Sequence, residues 1–441
     1  MKVAESIAGA KEFHIAQSVA NAMENIRKLI ETYGPRAPGS EAELNAQQAM
    51  AEQLKTRADS VGIEPFIVHR QAFMGFIPFT VACGVAAAIL FFFKITLLTQ
   101  IAAIVGVLGG LPLILEFVLY WRFIDPLFKK QTSHNVIARY NSTGTTKKRI
   151  ILVGHADSQY EWTLNYKLGG NGMKGVLIPA VVGFVVIVVA ALLKTLTEAL
   201  GADWAWLNVL YEIVRWGIFA FFPFFAGFLF FQSHSKSVPG AADNLSGCQI
   251  AMSVLEELAD AGIRFEDTEV DVVLSGSEEA GLRGAKAYVE RHTAELHDPS
   301  VDTIVIALDT FRDLKDMAVY DRDRSGTVRH DKRVKELVKT AAAHCGLDLP
   351  YASIYIGASD AAAFTKAGIP ATGFAAMDPT PPRYYHTRLD NWDILEPDAI
   401  EKGLEVTLEA VCMFGGQQAT PSGQVLPAED VRAYDALQDV L

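Results

Sequence analysis

Cysteine is scarce in this chain, with four in 441 residues, and no two form a C-x-x-C pair. Cys83 lies inside a long uncharged run, out of easy reach of Cys248, Cys345 and Cys412. A disulfide framework and a cysteine-rich structural metal site are both excluded, and a reducing compartment is expected. Positive charge is also short. Lys and Arg number 39 against 51 Asp and Glu, a net charge of −12. Nucleic acid is excluded as a partner, because phosphate binding needs a basic face. Internal repeats and low-complexity segments are missing, and so is a hydrophobic leader. The opening MKVAESIAGAKEFHIAQSV mixes charged and apolar residues at helical spacing and reads as an amphipathic helix.

Apolar residues, by contrast, are abundant at 50% of the chain, and they collect in long uncharged runs. Gln71 to Phe93 has no charge, and after Lys94 neither does Ile95 to Leu115. A second pair follows, from Gly175 to Leu193 and from Trp206 to Phe231, the latter containing Glu212 and Arg215. Crossing a bilayer core of about 30 Å takes about 20 apolar residues, so the four runs read as two transmembrane hairpins. Trp121, Trp206 and Trp216 stand near their ends, as in interfacial belts. Pro78, Pro112, Pro179 and Pro223 are better tolerated in membrane helices than in soluble ones. Glu116, at the end of the second run, is a candidate intramembrane acid or a headgroup-facing helix end. Arg70, Arg122, Lys129, Lys130, Lys167, Lys174 and Lys236 flank the runs on one side. Lys94, Lys194 and Arg215 flank them on the other, beside Glu198, Asp203 and Glu212. The positive-inside bias predicts an integral protein of the cell (inner) membrane with its polar part in the cytoplasm.

Length allows two or three domains. The polar part alternates strands (HNVIARY 134–140, RIILVGHAD 149–157, VDVVLSGSEE 270–279, DTIVIALDT 302–310, ATGFAAM 371–377) with helical stretches at 41–57, 244–262, 282–295, 331–345 and 396–414. The alternation predicts a three-layer α/β/α sandwich on a mostly parallel mixed sheet. It assigns 1–72, 129–160 and 235–416 to this domain, 73–128 and 161–234 to the hairpins, and 417–441 to a loosely ordered tail.

Open parallel sheets gather ligands at the carboxyl ends of their strands, and several strands here end in metal-binding residue types. These are His155 and Asp157, then Glu278 and Glu279, then Asp309, with Asp243 and His386 in two loops. Any one of these positions is unremarkable, but their occurrence together at one sheet edge is not. Imidazole with carboxylate suits zinc. Five donors exceed what one catalytic zinc with an open position takes. They match two ions about 3.5–4 Å apart if one carboxylate bridges them.

The ordered set HAD, GAADNLSG, SGSEEAGLRGAKAYV, ALD, GASDAAAFTKAGIPA and YYHTRLD resembles the co-catalytic di-zinc exopeptidases. That family includes bacterial leucine-type aminopeptidases, glutamate carboxypeptidase and, as divergent members, glutaminyl cyclases. GPRAPGS at 34–40 resembles its N-terminal signature. The resemblance implies two Zn2+ per chain, with His155 and Asp309 on one, Glu279 and His386 on the other, and Asp243 bridging. It implies that Asp157 orients the His155 ring, that Glu278 is the general base, and that Tyr385, rather than Tyr384, stabilises the oxyanion. Ser359 and Asp360 match a motif near the substrate pocket, with no role assigned to them. The implied activity is a zinc-dependent aminopeptidase acting on peptides. A carboxypeptidase or another amide hydrolase is the nearest alternative. Glutaminyl cyclase, a non-catalytic receptor-like scaffold and a transporter stand further off.

The chain departs from that family in two respects. The first hairpin interrupts what would be an early strand pair, between about Phe73 and His134. His155 and Asp243 lie 88 positions apart, and the second hairpin fills a gap where the family has a short loop. The expected partners are therefore the bilayer and membrane-associated or hydrophobic peptides.

Overall fold

The computed structural model describes residues 13–416 and the backbone of residues 418 and 419. The N-terminal half of the predicted first helix and nearly all of the predicted tail lie outside the described residues. The chain divides into two compact units, one of 1–70, 130–159 and 237–441, the other of 71–129 and 160–236.

The first unit is built on nine strands: β1 (Ser60–Val68), β2 (Gln131–Tyr140), β3 (Lys148–His155), β5 (Thr268–Ser275), β6 (Asp302–Phe311), β7 (Met317–Asp323), β8 (Val328–Arg329), β9 (Tyr351–Ser353) and β10 (Ala371–Ala376). The short β4 (Arg264–Phe265) pairs separately with β11 (Gln418–Ala419). The sheet order is β1-β2-β5-β3-β6-β10-β7-β8, with β9 beside β7. The inner strands β5, β3, β6 and β10 run parallel. The flanks add antiparallel pairings of β1 with β2, β2 with β5, β10 with β7 and β7 with β8. The sheet is thus mixed and mostly parallel, as expected: the parallel centre, together with β9 running parallel to β7, outweighs the antiparallel flanks. Parallel neighbours need a covering crossover, and helices between the paired strands in the sequence supply it.

That centre follows from composition. Continuous β-branched runs such as RIILVG bury both faces of a strand. Val136, Ile150, Leu152, Val270, Val272, Ile304 and Ile306 join one core with the helices Ile15–Tyr33, Glu41–Leu54, Gly247–Asp260, Lys332–His344 and Pro397–Gly415. The alternate residues Ile151, Val153, Val273 and Val305 are equally buried on the other face. There Arg283–Arg291 lies against β2, and Ala361–Lys366 lies against β6 and β10. β1 has no clear strand pattern of its own, because Gly62 and Pro65 interrupt it, but with β2 it forms the early strand pair expected around the first hairpin. An edge strand accommodates both residues, since its outer face needs no ladder donor. The first apolar insertion separates β1 from β2, which nonetheless pair along their whole length.

The second unit contains four helices long and apolar enough to cross a membrane: Ala72–Phe92, Thr96–Val118, Thr163–Ala199 and Ala205–Phe228. The third begins twelve residues before the uncharged run that signals it, with a break at Gly169 (φ 70°). Small residues let these helices approach closely, as in membrane bundles; a Cβ on Gly109 would stand 2.4 Å from that of Cys83. Outward-facing residues such as Ile104, Leu108, Val185 and Ile213 are apolar and exposed. Glu116 is fully buried, and its Oε2 accepts the backbone N–H groups of Phe123 and Ile124 at 2.9 and 3.2 Å. It caps the chain after the second helix, which gives it a structural use.

Candidate active site

The parallel centre brings four strand ends to one edge. His155 closes β3 in register with Ser275 of β5, and Asp309 sits near the end of β6 beside Ala375 of β10. Glu278 and Glu279 follow β5 in a single tight turn, and the loop after β10 brings Tyr385 and His386. Four non-glycine residues here have left-handed backbones: Ser277 (φ 53°), Leu282 (φ 59°), Thr310 (φ 52°) and His386 (φ 55°). Such conformations persist only where surroundings over-determine them, and they gather at functional sites.

The side chains meet around Asp243. Its Oδ1 lies 3.2 Å from His155 Nε2, and its Oδ2 lies 2.9 Å from His386 Nε2. His155 Nε2 is also 3.8 Å from Asp309 Oδ1 and 4.0 Å from Glu278 Oε2. His386 Nε2 is 3.2 Å from Glu279 Oε1. Each oxygen of Asp243 therefore faces a different histidine, and each histidine has its own second carboxylate.

The donor set fits a pair of cations. Zinc bonds of about 2.0–2.1 Å in a tetrahedron place ligand atoms roughly 3.3 Å apart, close to the shorter spacings found here. Asp243 Oδ2 and Glu279 Oε1 are buried, make no well-aligned hydrogen bond and both face the single ring nitrogen His386 Nε2, a costly arrangement unless something else engages them. His155, Asp243 and Glu279 by themselves form a buried group able to hold an ion.

Electrostatics gives the same reading. Burial pushes the carboxyl of Glu279 up to about 7, and that of Glu278 well above its ordinary range. Burial opposes charge on both histidines, but the carboxylates outweigh it. Glu278, Asp157, Asp243 and Asp309 raise His155 far above its usual value, and Glu279 and Asp243 carry His386 to about 10. Burial also works against the Asp243 carboxylate, yet the two histidines hold it below the normal range. Carboxylates in such surplus stay ionised together only beside cations.

Asp157 does more than the sequence implies. His155 Nδ1 lies 3.3 Å from its carbonyl oxygen and 3.6 Å from its Oδ1. Its carboxylate also accepts the backbone N–H groups of Glu278 and Glu279, at 3.0 and 3.1 Å. One acid thus holds the ring of one candidate ligand and the backbone of the adjacent pair. Tyr385 stacks on the His386 ring at 3.8 Å. Burial and the nearby carboxylates of Asp243, Glu279, Asp309 and Glu278 push its phenol well up, so it stays protonated and can donate. Tyr384 donates instead to Asp313. Ser359 is tied to Asp323, and Asp360 accepts from Ser275; burial pushes Asp360 up to about 7.

Sequence reasoning missed several supports. Asp390 accepts the N–H groups of Ala242 and Asp243 at 2.7 and 3.1 Å, fixing the Asp243 backbone as Asp157 fixes that of the glutamates. Asn244 donates to Leu308 O at 2.8 Å and accepts from Thr310 N at 3.1 Å, tying the Asp243 loop to β6. Arg36, fully buried in GPRAPGS, donates to the carbonyls of Ala156, Pro239 and Gly240 at 2.7, 2.7 and 2.9 Å. It thereby joins the His155 and Asp243 loops. Gly240 (φ 65°) is required there, because a Cβ would stand 2.6 Å from that of Ser158. Both Asp390 and Asn244 stood in quoted motifs, but nothing in their spacing showed which amides they would meet.

Arg36→Met is expected to leave those carbonyls without donors in the interior. The cost is on the order of 3 kcal/mol or more. Thermal melting of the detergent-solubilised chain should fall by several degrees. A melting point equal to wild type would contradict this role.

The sequence profile of Peptidase family M28 matches residues 226–411, a span that holds Asp243, Glu278, Glu279, Asp309 and His386. His155 lies outside it and joins the group through the fold. No curated protein matches the chain. Among solved structures, a zinc aminopeptidase from Bacillus subtilis superposes with TM-score 0.52 at 15% identity, covering 89% of this chain and 94% of its own. A Zn-dependent exopeptidase from Parabacteroides distasonis gives 0.52 at 13%, covering 90% and 98%. A glutaminyl cyclase from Fimbriiglobus ruber gives 0.51 at 14%, covering 89% and 94%. These likenesses establish the fold.

Proposed function

We propose that this chain, whose residues 226–411 match the profile of Peptidase family M28, is a membrane-integrated di-zinc aminopeptidase with its peptidase unit in the cytoplasm. The observation that carries the reading is the division of Asp243 between His155 and His386. In this reading His155, Asp309 and Asp243 hold one ion, and His386, Glu279 and Asp243 hold the other. Bound there, the pair of ions would polarise the scissile carbonyl and lower the pKa of a water.

The remaining steps belong to the protein. Glu278 lies in the same cluster, its Oε2 4.0 Å from His155 Nε2, slightly farther than the Asp309 oxygen assigned to that ion. It takes the proton of the attacking water and delivers it to the leaving amine. Tyr385 donates its hydroxyl hydrogen to the oxygen that gains charge. Asp157 and Asp390 keep the acids in place through their backbone amides.

Cyclases share the fold, but five convergent donors favour two ions and hydrolysis. The chain leaves for the apolar unit four residues after His155 and returns six residues before Asp243. That connection supports lipid-associated or hydrophobic peptides as substrates. A panel of free and N-acetylated peptides, each soluble or lipid-anchored, tests the reading. Cleavage should need a free amino terminus and favour the anchored form. Hydrolysis of only the blocked peptides would overturn the aminopeptidase assignment, and equal efficiency on anchored and soluble forms would remove the substrate preference.

A further inference from the structure

Gln159 is a buried side chain of the site to which neither the sequence nor the reaction assigns a role; it is 3% exposed. It is the last residue of the polar unit before the chain enters the second apolar insertion. Its Nε2 donates to Glu279 Oε2 at 2.6 Å and lies 3.4 Å from Glu279 O. Its own carbonyl accepts from Val238 N at 3.0 Å, and Ser158 Oγ donates to Val238 O at 2.8 Å. The two chain segments that flank the insertion are thus joined to each other, and the Gln159 side chain starts from a fixed backbone.

The consequence concerns the two oxygens of Glu279. A carboxylate can offer a cation one oxygen or both. Here Oε2 is taken by an amide hydrogen, while Oε1 faces His386 Nε2 at 3.2 Å without a well-aligned hydrogen bond. An amide also suits this place better than an acid would. A carboxylate at 159 would set another negative charge against Glu279, whereas the amide donates without adding charge.

We propose that Gln159 is a positioning residue that holds Glu279 as a one-oxygen ligand, with Oε1 turned toward His386 and Asp243. It thereby sets the affinity and coordination geometry of the cation site on the His386 side. This inference rests on the di-metal reading. Partners that orient ligands in this way typically contribute about 10–100-fold in metal affinity.

The test uses the full chain in detergent micelles. Gln159→Met keeps the volume and removes the donor; Gln159→Asn keeps the amide but shortens its reach, and carries the test if the first variant does not fold. Zinc is titrated in competition with a chromophoric chelator, the visible spectrum is recorded after cobalt substitution, and the metal-free protein is melted. The expected result is one ion weakened about 10–100-fold, the other unchanged, an altered cobalt spectrum and an unchanged metal-free melting point. Wild-type affinity for both ions with an unaltered cobalt spectrum would overturn the inference alone. Equal weakening of both ions together with a lower metal-free melting point would also overturn it, by reducing Gln159 to a packing residue. A wild type that itself binds fewer than two ions would overturn the di-metal reading and this inference with it.

Discussion

Glu278→Gln is expected to lower kcat by about 10²–10⁴-fold while leaving metal content unchanged. The substitution conserves shape, and the backbone N–H of residue 278 remains held by Asp157. None of the donor atoms around Asp243 is altered. What disappears is the carboxylate that accepts and returns a proton. A second readout separates this from damage to the fold. Burial and neighbouring acids disfavour the charged form of Glu278 in the metal-free protein. A folded-state pKa raised above its unfolded value means that this carboxyl costs stability increasingly as pH rises past the unfolded pKa. Replacing it with an amide removes that cost, so the metal-free variant should melt no lower than wild type near neutral pH. Retained turnover would remove Glu278 from the proton transfer.

Asp243→Asn is expected to weaken both ions, each by more than about 100-fold, and to abolish activity. An amide offers a cation one oxygen where the carboxylate offers two. The pattern across the site matters more than the single loss. Asp309→Asn should weaken only the ion beside His155, and His386→Ala only the ion beside Glu279. These follow from the facing of Asp243 Oδ1 and Oδ2 toward different histidines. Calorimetric zinc titration of the three variants checks it. Loss of a single ion in Asp243→Asn would show that this residue does not bridge.

Much of this arrangement could be read from the chain, for reasons that differ by element. The parallel centre announced itself because runs like RIILVG and TIVIAL, buried on both faces, leave few alternatives to an inner strand. Convergence of His155, Glu279 and Asp309 followed from parallel direction, which sends strand ends to one edge, while Asp243 and His386 arrive on loops. The bounds of the edge strand β1 stayed hidden because Gly62 and Pro65 break its pattern; only the resemblance pointed to an early strand pair there, and pairing with β2 fixes its extent. The supports stayed hidden for another reason. Arg36, Asp390, Asn244 and Gln159 act on backbone groups or carboxylates 64 to 204 positions away, and hydrogen bonds of that range leave no periodic trace in a sequence. Glu116 was conspicuous as a lone acid in an apolar run. Its partners prove to be the amides of the turn that follows it.

The most direct test is the zinc content of the purified full chain after chelation, reloading and removal of loosely held metal. Two ions per chain, with peptide hydrolysis that disappears on chelation and returns with zinc, is the result predicted by the sharing of Asp243 between two histidines. One ion or none, in a chain that remains folded, would contradict it.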